Sequence, residues 1–141
     1  MGIRLMEEKD LTQVLEIQKN LHFQSWTRTQ FEREIKAPYS YSIVFENQNQ
    51  VIGYAIFHML GADSELLSIA VDAQNQQKGI GSSLLSAGLL KLNFNGGDAC
   101  FLEVREKNTN ARHFYEKHGF KEYSSRENYY ADGEKAILYR R

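Results

Sequence analysis

Two glycines in a short polar segment are the first indication of a ligand site. The segment Gln76–Ser82 reads QQKGIGS and stands between an apolar run and a series of leucines at helical spacing. Glycines let a backbone approach a ligand closely, and the first turn of a helix leaves N–H groups unpaired, so an anion such as a pyrophosphate would fit there. Lys78 would add one positive charge. A tight strand-to-helix turn would also use Gly79 and Gly81, and Leu84 stands where the dinucleotide fingerprint needs a small residue.

A carboxylate and a phenol form the second candidate set. Glu103 lies near the C-terminal end of the apolar segment Ala99–Arg105, where its proton affinity could be shifted and where it could act as a base, directly or through a water. An ion pair with a neighbouring arginine is the alternative interpretation of Glu103. Tyr115 follows Phe114 on a predicted helix, and core packing with its hydroxyl bonded to a backbone group would be enough to explain it.

The histidines and the single cysteine do not have the spacing of a metal site. His22, His58, His113 and His118 form no H-E-x-x-H pattern and do not cluster with Cys100. We therefore expect no metal cofactor and expect the histidines at ordinary surface or core positions. Cys100 cannot form an internal disulfide, which favours a reducing compartment, and we expect it to pack as a small apolar residue.

Length and composition bound the class of protein. The chain has 141 residues, of which 42% are hydrophobic and 25% charged, so we expect one compact domain over residues 1–141 and exclude intrinsic disorder. Lys and Arg number 17 against 18 Asp and Glu, so the broad positive field of a nucleic-acid binder is missing and any anionic ligand must be held locally. Neither an export signal nor a membrane segment is indicated, and we expect a cytoplasmic protein.

The hydrophobic pattern predicts an α/β domain that positions these residues on a mixed sheet. Hairpins force antiparallel pairs, whereas the two later helical connections permit parallel ones. The segment Leu66–Val71 is apolar almost without alternation, as in a strand covered on both faces, so we place it at the centre of the sheet. The predicted strands are Ile3–Leu5, Tyr41–Phe45, Val51–Met59, Leu66–Val71, Ala99–Arg105, Phe120–Tyr123 and Ala136–Tyr139. The predicted helices start at a cap formed by Asp10, at Ser25-Trp26-Thr27, at Gly81 and after Thr109, and the second and last of them end at Pro38 and Gly119.

Four motifs occur in a fixed order along the chain. They are I-A-V-D at Ile69–Asp72, Q-x-x-G-x-G at Gln76–Gly81, L-E-V-R at Leu102–Arg105 and N-x-x-A-x-x-x-Y-E-x-x-G-F at Asn108–Phe120. This set resembles the GNAT superfamily of acetyl-CoA-dependent N-acetyltransferases. With Trp26-Thr27 and the loop Arg126–Tyr130, the chain is most similar to the RimI-like enzymes, which acetylate the N-terminal alanine of a small-subunit ribosomal protein. The resemblance implies a single-domain GNAT-like fold, with a mixed, mostly antiparallel central sheet flanked by helices.

The resemblance also implies a role for each motif. Acetyl-CoA would be the co-substrate, and its pantetheine arm would hydrogen-bond the backbone of one strand, at Ile69, Ala70 and Val71. The loop and helix start would cradle the pyrophosphate, at Gln77, Lys78, Gly79, Ile80, Gly81 and Ser82, and Asn108 would contact the cofactor further along. Glu103 matches the base that deprotonates the acceptor amine, and Tyr115 matches the acid that protonates the departing CoA thiolate. The amine would attack the thioester directly, without a metal or a covalent enzyme intermediate.

The sequence departs from the family pattern in places. Gln76 and Gln77 stand where many relatives carry arginine, so phosphate binding would depend on backbone N–H groups and Lys78, and the affinity for CoA could be weaker. Ser68 stands where relatives often have asparagine, which could affect the acceptor side. A small amine, a free amino acid or a lysine side chain stays open as the acceptor. A silent acyl-CoA-binding module is a further alternative, against which the presence of both Glu103 and Tyr115 argues.

The acceptor groove is the part that the sequence defines least. Four aromatic residues could form a groove for a peptide end, and acidic residues could draw a cationic substrate to it. Ordinary packing and solvated surface would also account for both groups. The aromatic residues are Trp26, Tyr39, Tyr129 and Tyr130, and the acidic residues are Glu32, Glu65 and Asp132.

Overall fold

Seven strands and four helices form in the order that the sequence predicts. The computed structural model describes residues 2–21 and 26–141. The strands are β1 (Gly2–Leu5), β2 (Ser40–Asn47), β3 (Gln50–Leu60), β4 (Asp63–Val71), β5 (Ala99–Arg105), β6 (Lys121–Arg126) and β7 (Ala136–Arg140). The helices are α1 (Leu11–Leu21), α2 (Arg28–Lys36), α3 (Ile80–Phe94) and α4 (Thr109–Lys117).

All seven strands join in one sheet, in the spatial order β1-β2-β3-β4-β5-β7-β6. Every neighbouring pair is antiparallel except β4 and β5, which are parallel. The parallel pair is connected through α3, as a parallel connection requires. The mixed, mostly antiparallel α/β fold and the central position of β4 are therefore confirmed.

The long strands β2 and β3 form a hairpin around a two-residue turn. Gln48 and Asn49 both have positive φ, of 52° and 63°, which is the geometry of a turn that matches the twist of the flanking strands. The sequence predicts a longer turn over residues 46–50. The strands extend further because Asn47 still pairs with Gln50.

Helices cover both faces of the sheet and bury two apolar clusters. On one face α1 and α2 pack through residues such as Leu11, Val14 and Phe31. On the other face α3 and α4 pack through residues such as Leu84 and Tyr115, together with the inward side chains of β5, including Cys100, which is buried as expected. A strand between two helical layers reads as nearly continuous apolar sequence, which explains the composition of β4.

Two helix starts differ in how well the sequence predicts them. Thr27 begins α2 as expected, because its hydroxyl accepts from the N–H of Gln30 at 3.2 Å while the Gln30 side chain accepts from the N–H of Thr27 at 2.7 Å. The prediction for Ser25 lies outside the described residues. Asp10 does not cap α1 as predicted, since its carboxylate accepts from the N–H of Glu7 at 2.8 Å and binds both terminal nitrogens of Arg4. The buried carboxylate thus anchors β1 to the turn before α1.

Gly88 allows α3 to lie directly against β3. A Cβ atom built at this position would come within 2.1 Å of the Phe57 ring, which is fully buried. Helix propensity alone would favour alanine over glycine by about 1 kcal/mol, but overpacking a core costs about 1–3 kcal/mol and a contact this short lies at the upper end. We expect Gly88→Ala to lower the free energy of unfolding by about 2 kcal/mol in urea titrations. Ser86→Ala, on the exposed side of the same helix, should leave it within about 0.5 kcal/mol. A Gly88→Ala protein as stable as the parent would contradict this packing.

The parallel strands β4 and β5 are paired only at their N-terminal ends and separate beyond them. Paired residues of β4 and β5 are confined to Asp63–Glu65 and Ala99–Phe101, so the two strands share no ladder beyond that point. The second half of β4 is consequently half-buried at Leu67–Ile69, and the prediction that both faces of this strand are covered is wrong there. The sheet therefore contains a cleft between its two central strands, at the C-terminal ends of both.

Candidate active site

The cleft between β4 and β5 exposes backbone groups that a sheet would ordinarily pair. The residues Ile69–Val71 pair with β3 on one side and have no β5 partner on the other. An extended ligand could add to this edge as a strand does. The ladder with β3 also shifts register, so that Leu67 stands out between paired residues Leu66 and Ser68. Such a bulge leaves backbone groups unpaired beside the cleft.

The loop after β4 presents a row of free backbone donors. Between residues 76 and 82 no backbone N–H donates a hydrogen bond to any described residue, whereas Ser83 donates to Gly79 O at 3.0 Å. Gln77 and Gly79 have positive φ, of 63° and 83°, and Gly79 directly precedes α3. Free donors at the start of a helix attract an anion because the helix dipole adds a partial positive charge. Lys78 is exposed beside them.

The polar side chains of Gln76 and Asn108 each form a hydrogen bond that fixes a local turn of the chain. The Gln76 side-chain amide donates to Val71 O at 3.1 Å, so the residue that replaces a family arginine ties the loop back to β4. Asn108 caps α4, because its side-chain oxygen accepts from the N–H of Ala111 at 3.2 Å. Its side chain is exposed, and its amide NH₂ is left to contact a ligand. The hydrogen bond from Gln76 to Val71 O was not predicted from the sequence.

Glu103 lies on the sheet face opposite α4. The strand alternation turns Leu102 and Val104 into the core and Glu103 outward, and the Glu103 side chain is exposed. The alternative ion pair with an arginine does not form within the described residues. The carboxylate is instead next to Tyr129, and its interaction with the Tyr129 hydroxyl is the largest cause that raises the pKa of that phenol.

Arg105 holds the loop that carries Tyr129 and Tyr130. Its guanidinium is 3.0 Å from carboxylate oxygens of both Asp132 and Glu134 and stands over the Tyr130 ring at 4.1 Å. This arrangement combines ion pairs with a cation–π contact, so a loop without regular structure is fixed against β5. Asp132 is thereby occupied and is not a free acid for a cationic substrate, contrary to one expectation.

Tyr115 is buried on the other side of the sheet. Its ring contacts Phe114, Phe120 and Tyr139. No hydrogen bond reaches its hydroxyl from the described residues, so the alternative in which core packing ties the hydroxyl to a backbone group is not met there. Every fully buried side-chain nitrogen or oxygen in that part of the chain has a partner, so the Tyr115 hydroxyl must retain some solvent access. Burial raises the pKa of Tyr115 well above its ordinary value.

Tyr130 connects the two candidate groups across the sheet. The charge of Glu103 contributes, after burial, to the raised pKa of Tyr130. Tyr130 in turn is among the groups that raise the pKa of Tyr115, after burial and Cys100. These electrostatic effects link both candidate groups to Tyr130, although Glu103 and Tyr115 lie on opposite faces of the sheet.

Other predicted site residues are not brought together. Trp26 stacks on Phe31 at 5.3 Å and Tyr39 on His58 at 4.8 Å, so these two aromatic residues do not join Tyr129 and Tyr130 in one cluster. Glu65 lies near enough to Tyr129 to raise its pKa, whereas Glu32 is on α2. Ser68 donates to the Tyr54 hydroxyl at 3.4 Å on the face of α1 and α2. Fewer residues could therefore line a groove for the acceptor peptide than the sequence predicts.

Grouped metal ligands and membrane-spanning helices are both absent from the described ranges. Within residues 2–21 and 26–141, no three His, Cys, Asp or Glu side chains are grouped to hold a metal ion. His22 lies outside those ranges. No helix in the same part of the chain is long and apolar enough to cross a membrane.

Comparison with known proteins gives a consistent result. The model of the acetyltransferase (GNAT) family matches residues 11–120. A curated relative from Haemophilus influenzae, the ribosomal protein bS18-alanine N-acetyltransferase, is 34% identical over 128 residues, covering 91% of this chain and 86% of the relative. The crystal structure of the ribosomal-protein-S18-alanine N-acetyltransferase from Escherichia coli matches with a TM-score of 0.89 at 30% identity, over 98% of this chain and 90% of that one. Ard1 from Thermoplasma volcanium matches with a TM-score of 0.93 at 26% identity, over 99% and 95%.

Proposed function

Because this chain belongs to the acetyltransferase (GNAT) family, we propose that it transfers the acetyl group of acetyl-CoA to the N-terminal alanine of a small-subunit ribosomal protein. It is an acetyl-CoA-dependent N-acetyltransferase of RimI type. The identity of the acceptor rests on one observation, the similarity to bS18-alanine N-acetyltransferases over nearly their whole length. We treat residues 1–141 as one catalytic domain.

The cofactor site of the proposal follows the cleft. The pantetheine arm of acetyl-CoA would bind the free edge of β4 at Ile69, Ala70 and Val71. Its pyrophosphate would bind the unpaired N–H groups of Gln77–Ser82, with Lys78 as the side-chain cation, and Asn108 would contact the arm from α4. The unpaired donors before α3 and the missing β5 ladder support this placement. The bulge at Leu67 would place backbone groups near the thioester carbonyl.

The chemistry of the proposal needs one base and one acid. An α-amino group has a pKa of about 7.7–8.0 and attacks a thioester only in its neutral form, so a carboxylate such as Glu103 would take its proton, directly or through a water. The nitrogen then bonds to the thioester carbon and the C–S bond breaks. The departing thiolate would take a proton from Tyr115, whose raised pKa keeps its phenol protonated at neutral pH. The new amide nitrogen would lose its second proton, which would return through water to the Tyr115 phenolate. Burial that raises the pKa of the phenol also raises that of a thiolate formed beside it.

Tyr129 and Tyr130 would line the acceptor side. Glu103 raises the pKa of both phenols, and the Arg105 contacts hold the loop that carries them. Glu65 adds a second acidic group near Tyr129, and negative charge there would favour the ammonium form of an arriving amine. This set replaces the wider aromatic groove that the sequence predicts.

The acceptor is tested with matched peptides. We expect acetyl-CoA and the enzyme to add one acetyl group to a peptide that begins with alanine and carries an internal lysine. The same peptide with a blocked N-terminus should not react, and a pool of small amines and free amino acids should not either; mass spectrometry reads all three. A screen of N-terminal peptides from ribosomal proteins then identifies the substrate. Acetylation of the blocked peptide or of small amines alone would overturn the assignment to a peptide N-terminus.

A further inference from the structure

The hydroxyl at the start of α3 is bonded to a histidine that the mechanism does not use. Ser82 Oγ is 2.9 Å from Nε2 of His118, which follows the last turn of α4. The imidazole also packs at a tilt against the Phe114 ring, with ring centroids 4.8 Å apart, and a Cβ atom built at Gly81 would lie 3.5 Å from that ring. His118 thus contacts the first turn of α3 through Ser82, and its neighbour Phe114 lies beside Gly81.

The contact between Ser82 and His118 is important because the loop before α3 carries little positive charge of its own. Residues 72–82 contain Lys78 as their one cationic side chain, because Gln76 and Gln77 are neutral. The imidazole of His118, which contacts Ser82, is a second group there that could become positively charged. The charged groups that face the imidazole are Lys117 of the same helix and Arg141 at the end of the chain, and α3 presents the Ser82 hydroxyl. Burial, Lys117 and Arg141 together lower the pKa of His118, so it is neutral at pH 7 when no anion is bound.

We propose that His118 is a positioning residue for the pyrophosphate of the cofactor, acting through Ser82. Neutral Nε2 can accept the hydroxyl proton of Ser82. Protonated Nε2 can only donate, so Ser82 Oγ then accepts and its own proton turns toward a phosphate oxygen. Binding of the anion would favour this state, and one proton is taken up from solvent as the complex forms. The inference rests on the proposed function insofar as it places the pyrophosphate at the start of α3.

Linkage gives the sign and the size of the effect. A bound anion raises the pKa of His118, so affinity rises as the pH falls through the pKa of the complex. A rise of about one pKa unit corresponds to about tenfold tighter binding at low pH. CoA itself carries a 3′-phosphate monoester that titrates near pH 6, which would weaken binding in the same range. The probe is therefore 3′-dephospho-CoA, whose pyrophosphate does not titrate there.

The experiment compares His118→Gln with His113→Gln. Glutamine keeps a donor for Ser82 but cannot gain a charge, and His113 is an exposed histidine on the same helix. Between about pH 8 and about pH 5.5 we expect the Kd of the parent and of His113→Gln for 3′-dephospho-CoA to fall by about three- to tenfold. The Kd of His118→Gln should change by less than about twofold. Titration calorimetry in buffers of different ionisation enthalpy should show correspondingly less proton uptake in His118→Gln.

A Ser82→Ala variant and the binding of cofactor by the parent protein test the remaining steps of the inference. Ser82→Ala leaves His118 in place but removes the hydroxyl, and it should lose most of the pH effect; a full effect in this variant would overturn the role of Ser82. Equal pH profiles for the parent and His118→Gln would overturn the inference and leave the acetyltransferase assignment intact. A parent protein that binds neither CoA nor 3′-dephospho-CoA would instead contradict the proposed cofactor site, and the inference with it. Thermal melting curves of each variant check that it folds.

Discussion

Replacement of Glu103 by glutamine is expected to lower kcat for an alanine-ended peptide by about 100-fold at neutral pH. The variant keeps the shape of the side chain but cannot take a proton from the acceptor amine. The affinity for CoA should not change, because Glu103 lies on the sheet face away from α4 and away from the free N–H groups before α3. Steady-state kinetics with the peptide and calorimetry with CoA measure the two quantities separately.

The pH profile distinguishes a base from a merely structural carboxylate. Above about pH 9 most of the amine is already neutral, since its pKa is about 7.7–8.0, so the deficit of Glu103→Gln should narrow there. Glu106→Gln is the matched control, because Glu106 follows on the same segment and its carboxylate has only a 3.8 Å contact with Lys135. A Glu103→Gln enzyme with unchanged kcat at neutral pH, or with a deficit that is constant up to pH 10, would rule out the role of base.

Replacement of Tyr115 by phenylalanine should lower kcat by about 10- to 100-fold and alter folding stability little. Phenylalanine keeps the ring contacts with Phe120 and Tyr139, and the lost hydroxyl has no hydrogen-bond partner among the described residues. The free energy of unfolding should therefore stay within about 1 kcal/mol of that of the parent. Tyr123→Phe, at an exposed position of β6, is the control for a tyrosine that does not reach the cleft.

The leaving group provides the specific test of a proton donor. An acetyl thioester of a more acidic thiol needs less protonation of its thiolate, so Tyr115→Phe should lose less rate with that donor than with acetyl-CoA. Because burial raises the pKa of Tyr115, loss of its proton should not limit the parent enzyme until the pH is well above 10. An equal loss with both thioesters, or a parent profile that falls with a pKa below 10, would contradict the assignment.

The elements of the fold were predictable because each depends on local chemistry. Thr27 and Gln30 cap α2 with groups three residues apart, and Gly119 ends α4 with a φ of 87°, which a side chain would oppose. The prediction that Asp10 caps α1 was wrong, because it used only this local chemistry. Asp10 has the right type and position for a helix cap, but its stronger partner is Arg4, and the ion pair between β1 and the following turn is not a local feature.

Some features of the candidate site were likewise predictable from the sequence and others were not. The free donors of Gln77–Ser82 follow from two glycines before a helix, and the sequence alone indicated an anion there. The pairing of Arg105 with Asp132 and the separation of Tyr39 from Tyr129 were not predictable, since they depend on which strands neighbour each other. Contacts across such distances in sequence arise only when the sheet order β4-β5-β7-β6 is set.

Spacing and residue type by themselves determined the order of strands and helices, the central place of β4, the candidate anion-binding loop and the family motifs that carry Glu103 and Tyr115. Alternation in β5 also determined that Glu103 faces away from the core. Only the tertiary structure decided that β4 and β5 part after Glu65 and Phe101, which leaves a cleft beside β4, and that Tyr115 is buried on the face opposite Glu103. The physical reason is that strand separation depends on packing against both helical layers at once, which no local pattern encodes.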